Sequence, residues 1–257
     1  MAWTERQATM LRAMGLRTWP VPRAMAGAAP ANTEPAVSAE PAEPVPAPAA
    51  GAAPRVDAPR TAVAGLPWPE LREAVAACRA CSLCESRTQT VFGVGHPQAH
   101  WMVVGEAPGE QEDLKGEPFV GPAGQLLDAM LRALALSREA EGAPERRVYI
   151  ANTLKCRPPR NRNPAPEEMA KCEPFLVRQI ELVRPRIILA MGRFAVQALL
   201  RSNEAIGKLR GRVHAYQGVP LVVTYHPAYL LRNLPDKARA WEDLCLAASV
   251  VERHEQA

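Results

Sequence analysis

Trp101-Met102-Val103-Val104-Gly105-Glu106-Ala107-Pro108-Gly109 reads as a short apolar strand running straight into a turn rich in Gly and Pro that carries one carboxylate. Three more apolar runs, Val148–Ala151, Arg186–Met191 and Leu221–Thr224, have the same near-continuous character. Strands buried on both faces look like this, because neither face can alternate with polar residues. Helical patterns separate the runs at Gln125–Leu136, Pro166–Val183 and Phe194–Arg201, with a last one at Lys237–Val251. Pro67-Trp68-Pro69-Glu70 opens an earlier helix, proline being suited to a first helical turn. The alternation predicts an α/β fold of three layers, αβα, around a central, mostly parallel four-stranded sheet.

Ligands of such sheets bind beyond the carboxyl ends of the strands. Glu106, Asn152, Gly192 and His226 each stand just after one of the four apolar runs, which argues for one shared site. A second glycine-bracketed turn, Gly116-Glu117-Pro118-Phe119-Val120-Gly121-Pro122-Ala123-Gly124, presents a Phe that no helix or strand period assigns to the core. Glycines let backbone amides approach a ligand closely. The two turns together predict a pocket for a small flat ligand at a strand end.

The 257 residues hold no run long and apolar enough for a membrane helix, and the N-terminus lacks the order of a secretory signal. No membrane role and a cytoplasmic location are expected. Residues 26–60 contain thirteen Ala and eight Pro and no aromatic, the composition of a disordered tether. The expected organisation is a short amphipathic segment at 1–25, with Met10, Leu11, Met14 and Trp19 as an apolar stripe, an Ala/Pro-rich linker at 26–65 and a folded domain at 66–253. A small helix on a leash either binds a partner, such as a replication or repair protein, or docks on its own domain. The net charge is +4, yet residues 145–212 carry fifteen Lys/Arg against six Asp/Glu. A basic middle suits a polyanion-facing surface, or simply a solvated Arg-rich face.

Cys78-Arg79-Ala80-Cys81-Ser82-Leu83-Cys84 is joined far downstream by Cys156 and Cys172, with Cys245 on an apolar helical stripe. A Cys-x-x-Cys pair plus two distant cysteines matches four thiolate ligands for zinc or an iron–sulfur cluster. The local choice among Cys78, Cys81 and Cys84 stays open on spacing alone. Between the distal pair runs Arg157-Pro158-Pro159-Arg160-Asn161-Arg162, a stiff cationic arm suited to phosphates through counterion release. Lys208-Leu209-Arg210-Gly211-Arg212 offers further cations.

Residues 73–250 resemble the family 4, iron–sulfur uracil-DNA glycosylases. The resemblance rests on Cys-x-x-Cys, Gly105-Glu106-Ala107-Pro108-Gly109, Gly116-x-Pro118-Phe119-Val120-Gly121, Tyr149-Ile150-Ala151-Asn152, Lys155-Cys156-Arg157-Pro158-Pro159 and Tyr225-His226-Pro227-Ala228-Tyr229-Leu230-Leu231-Arg232. It implies a monomeric bacterial enzyme of the nucleoid that removes uracil from single- and double-stranded DNA and so begins base excision repair. It also implies a structural [4Fe-4S] cluster on Cys78, Cys81, Cys156 and Cys172, leaving Cys84 free.

Uracil must leave the base stack to be cut. By the resemblance Phe119 stacks on the extruded ring, with Ala107 and Pro108 beside it, and Asn152 reads its N3–H and O4. His226 donates to O2 as charge develops there, the effect that preorganised donors supply to transition states. Ala107 stands where the best-known branch of the superfamily places a water-positioning Asp, so Glu106 and Glu112 are the candidates for that work, with Asp113 behind them. Tyr229-Leu230-Leu231-Arg232 resembles the wedge that fills the vacated stack; otherwise those leucines start a helix and pack inward. Arg157, Arg160, Arg162, Arg210 and Arg232 are the expected phosphate contacts. The competing readings are a non-catalytic or a covalently trapping uracil-DNA-binding protein; no histidine follows Cys156 in the basic loop, which counts against the trap.

Overall fold

The computed structural model describes residues 9–10 and 63–255. Helix α1 is Trp68–Ala77 and the short α2 Leu83–Ser86; strands β1, Val94–Gly95, and β2, Trp101–Gly105, follow. Next come α3 (Glu110–Lys115), α4 (Pro122–Ala133), β3 (Val148–Asn152), α5 (Pro166–Val183), β4 (Ile187–Met191) and α6 (Arg193–Leu200). The chain ends with α7 (Ile206–Leu209), β5 (Val213–Tyr216), β6 (Val219–Thr224), α8 (Pro227–Leu230) and α9 (Asp236–Glu255).

The sheet order is β1-β3-β2-β4-β6-β5. The four expected strands form its parallel centre, β3-β2-β4-β6. The expectation of four strands falls short by two, because an antiparallel strand closes each edge, β1 on β3 and β5 on β6. Neither edge strand has an apolar run to announce it: β1 is two residues long and β5 alternates exposed and half-buried positions.

Period two divides the central strands between two cores. Trp101, Val103, Val148, Ile150, Ile187, Leu189, Met191 and Val222 face one cluster with Leu127, Met130, Trp241 and Leu244 of α4 and α9. Met102, Val104, Tyr149, Ala151, Ile188, Ala190, Leu221 and Val223 face the other with Leu176, Ile180, Ala195 and Leu199 of α5 and α6. The strands are therefore apolar throughout, and the three-layer architecture follows. Helix α1 adds a smaller cluster in which Val63, Leu71 and Val75 meet Phe92 and Phe175.

Met10, in helical backbone with Thr9, is buried in the α4/α9 core. The rest of the expected amphipathic segment, including Leu11, Met14 and Trp19, and the Ala/Pro-rich stretch up to residue 62 lie outside the described residues. No helix among the described residues is long and apolar enough to cross a membrane.

Candidate active site and cysteine centre

The register pairs Gly105 on β2 with Asn152 on β3, so both strands end level. Pairing continues one step further: Thr153 N donates to Gly105 O (3.1 Å) and Leu154 N to Glu106 O (3.1 Å). Two strands away, β6 ends at Thr224 and His226 caps α8. Glu106, Ala107, Pro108, Phe119, Asn152 and His226 thereby line one cavity of about 180 Å³ at the carboxyl end of the sheet. A larger cleft of about 570 Å³ lies between α5 and α6, beneath Met169, Leu176 and Phe194. Convergent polar groups define a site better than size, and the strand-end cavity has them.

Asn152 is 2% exposed, and its Oδ1 has no hydrogen-bond partner among the described residues. Leaving a buried amide oxygen unpaired costs about 1–3 kcal/mol, so an unmet acceptor here marks a place for a ligand donor. A Cβ on Gly105 would stand 2.5 Å from that oxygen and 2.6 Å from Phe119 Cζ. Only glycine leaves room for both.

Phe119 is buried in the α4/α9 core, contrary to the expectation that no period would place it there. Its backbone, at φ 56°, is left-handed and turns the ring inward under the strand ends. The ring stacks on His226, with centroids 5.4 Å apart and planes 28° from parallel. A base lying between them would force the rings to twice a stacking distance, so a ligand must use an outer face or an edge. Two charged groups that spacing did not assign to this task hold the turn. Arg138 donates from Nη1 to Pro118 O (2.9 Å) and Phe119 O (3.1 Å), and from Nε to Asp128 (2.6 Å). Glu112 accepts from Val120 N (2.9 Å), Gly121 N (3.2 Å) and Gly109 N (3.1 Å), binding the two glycine turns together. Asp113 is likewise committed, buried against Thr88 N and Gln89 N.

Glu106 makes no side-chain hydrogen bond among the described residues; burial raises its carboxyl, with Arg193 opposing. Ala228 N donates to His226 Nδ1 (3.2 Å), so the neutral ring carries its proton on Nε2. Burial brings this imidazole down to about 4, helped by Arg232 and opposed by Glu112. At neutral pH His226 is therefore an uncharged donor.

The predicted DNA contacts divide. Leu230 is fully buried in the core and cannot wedge into DNA, which corrects that expectation: one turn of α8 aims it inward and its neighbour outward. Leu231 is 42% exposed beside an exposed Arg232, and Leu234, which the motif did not single out, is 50% exposed. Tyr229 stacks on Tyr225 and donates to Asp236 (2.7 Å). Arg162 is held by Glu168 through two bonds (2.9 and 2.6 Å), and Arg157 by Asn161 (2.8 Å) with Glu110 at 3.7 Å. Arg210 is engaged by Asp243, Glu242 and the Arg239 carbonyl, a brace between α7 and α9 more than a phosphate hand. Arg160 is exposed at the loop tip, left-handed at φ 54°.

Cys78, Cys81, Cys84, Cys156 and Cys172 line one small cavity with Arg87 and Lys155. Among the described residues, no three His, Cys, Asp or Glu side chains converge tightly enough to grip a single ion; the cysteines surround a space. N–H donors already face the sulfurs: Arg87 Nη1 to Cys156 Sγ at 3.0 Å and Lys155 N to Cys172 Sγ at 3.3 Å. Such bonds support metal-bound thiolates. Burial raises the Cys81 and Cys156 thiols and pushes Cys172 up to about 12, so the protein alone keeps them protonated. A bound metal group would supply the positive charge that ionises them. The donor set fits a sulfur-ligated centre. Cys245 packs at the edge of the α4/α9 core.

A family model described as the uracil DNA glycosylase superfamily matches residues 92–245. A type-4 uracil-DNA glycosylase of Archaeoglobus fulgidus is 46% identical over 165 residues, 61% of this chain and 79% of that protein. One from Thermotoga maritima is 42% identical over 185 residues, 70% of this chain and 93% of that protein. One from Saccharolobus solfataricus is 42% identical over 182 residues, 67% and 81% of the two chains. With the strand-end cavity and the cysteine centre in the places those motifs occupy, the chain belongs to the uracil-DNA glycosylase superfamily, among the type-4 enzymes.

Proposed function

We propose that this chain hydrolyses the N-glycosidic bond of uracil extruded from single- or double-stranded DNA, opening base excision repair. The observation that carries the reading is the Asn152 carboxamide, buried with an unmet Oδ1 beside Phe119 and His226. Its oxygen accepts from uracil N3–H while its nitrogen donates to O4. Cytosine presents the opposite pattern, and a buried polar mismatch discriminates strongly.

As the C1′–N1 bond breaks, the electron pair stays with uracil and charge gathers on O2. His226 donates to that oxygen from Nε2 and keeps its proton, so the departing base is stabilised without an imidazolium. Glu106, with no side-chain hydrogen bond among the described residues, takes a proton from the water whose oxygen joins C1′. Glu112 serves as a positioning residue, because three backbone amides occupy it. Leu231 fills the vacated stack, with Arg232 and Arg160 on phosphates.

The cysteine ligands are assigned as Cys78, Cys81, Cys156 and Cys172 around a [4Fe-4S] cluster. When bound, it cross-links α1, the loop after β3 and α5; with four thiolates it presents no open position for chemistry. The burial of Met10 supports an N-terminal segment that docks on its own domain over one reserved for a partner.

The test incubates purified protein with oligonucleotides bearing uracil unpaired, opposite G and opposite A, then applies alkali. Strand breaks at uracil in wild type, and their loss in Asn152→Ala, are expected. Intact uracil strands with wild type overturn the reading. A brown protein with broad visible absorbance is expected for the cluster, and a colourless zinc protein overturns that component alone.

A further inference from the structure

Lys155 is 1% exposed, and no carboxylate of the described residues pairs with it. Its Nζ donates to the backbone carbonyl of Asn152 (2.9 Å) and to Gln179 Oε1 (2.6 Å). Gln179 cannot turn away: its Nε2 is engaged by Phe92 O (2.8 Å) and the Tyr149 hydroxyl (3.2 Å), so its oxygen must face the lysine. The main chain of Lys155 is fixed as well. Its N–H donates to Cys172 Sγ (3.3 Å), and its carbonyl accepts from Val91 N (2.8 Å). A buried ammonium is costly without acceptors; two of its protons meet the Asn152 carbonyl at the strand end and Gln179 of α5, while the main chain of the same residue meets Cys172.

We propose that Lys155 is a positioning residue for base recognition: its ammonium bolts the Asn152 backbone to the frame that carries Cys156 and Cys172, so that the aim of the carboxamide is set against that frame. The inference rests on Asn152 being the base reader. The side chain folds back over the carbonyl three residues earlier, so the segment from Asn152 to Cys156 cannot shift without breaking it. Gln179 extends the bolt to α5, the helix that carries Cys172. Loss of the lysine leaves Asn152 O and Gln179 Oε1 without that donor, and the cheapest relief is a tilt of the strand end and of the carboxamide with it.

The test uses Lys155→Met, nearly the same shape without the charge, and Gln179→Leu, which cuts the bolt far from the cysteine loop. Both are purified brown, and three quantities are read: visible absorbance, binding to DNA with an abasic site, and inhibition by free uracil. Expected are unchanged absorbance and abasic-DNA binding, with single-turnover uracil excision and free-uracil affinity each reduced at least about tenfold. Lys155→Arg, which cannot place one donor between the same two oxygens, should not rescue. If both variants keep wild-type excision and uracil affinity, the proposal fails while the uracil-glycosylase reading stands, since wild type cuts in the same assay. If abasic-DNA binding falls as far as uracil affinity, the lysine merely supports the fold and the proposal is again overturned. Should Lys155→Met not fold, Gln179→Leu decides by the same criteria.

Discussion

Gly105 and Asn152 are direct partners in the sheet, and the side chain that the first lacks is the space that the carboxamide of the second occupies. The same vacancy receives the edge of Phe119. Two site residues thus depend on one absent carbon, which gives the first prediction.

Gly105→Ala should leave a folded protein with a spoiled site. Overpacking a tight interior costs about 1–3 kcal/mol, yet the contact is relieved by moving Asn152 or Phe119, the two groups expected to hold the base. Excision should fall by two orders of magnitude or more by the differential-binding argument, while the melting temperature drops by only several degrees. Equal activity in the variant would show that the carboxamide does not read the base.

Glu112→Gln separates support from chemistry. A carboxamide has one accepting oxygen for three amides, so stability should fall by about 1–3 kcal/mol together with activity. Denaturant unfolding of the two proteins measures this. Lost activity at unchanged stability would instead return Glu112 to the water-activating role that the sequence allowed.

The neutral state of His226 has a pH signature. Its folded value is about 4 against 6.5 for an ordinary histidine, so the unfolded chain binds a proton that the native chain refuses between those values. Native stability should decline as pH falls from 6.5 towards 4, and His226→Gln should lack that component of the slope. Nitrogen NMR should find the ring neutral and protonated on Nε2 at pH 5.5. Titration near 6.5 would contradict the donor assignment.

Two arginines of one loop should behave oppositely. Arg160→Ala removes an exposed cation, so DNA binding should weaken and its log–log salt slope shrink by about 0.7–0.9, with stability unmoved. Arg162→Ala strips the partner from Glu168, a buried carboxylate held low by that guanidinium. It should lower the melting temperature and change the salt slope little. Titrations of abasic DNA at several salt concentrations, with thermal scans, check both.

The central sheet was legible because double burial forces unbroken apolar runs, and the site because Glu106, Asn152 and His226 stand where parallel strands end. What escaped has physical reasons. Strand β5 exposes Val213 and half-buries His214, an edge pattern that resembles a loop. Phe119 enters the core through a left-handed turn, and periodicity cannot register a residue outside a periodic element. Leu230 and Leu231 look alike in the chain; only the start of α8 decides which turns inward. The basic middle was countable, but the acids that occupy Arg162 and Arg210 lie six and more than thirty residues away, beyond what charge totals convey.

The backbone of Phe119 also bears on how this protein meets heat. A left-handed conformation in a bulky residue lies about 1–3 kcal/mol above its relaxed alternatives, and it is held by Arg138, by Glu112 and by the absence of a side chain at Gly124, whose Cβ would overlap the Phe119 carbonyl at 1.7 Å. Warming gives the turn a way to relax that the sheet beneath it does not share. The catalytic floor should therefore soften before the domain melts, so that the temperature at which repair stops is set by one loop and the temperature at which the protein unfolds by its two cores.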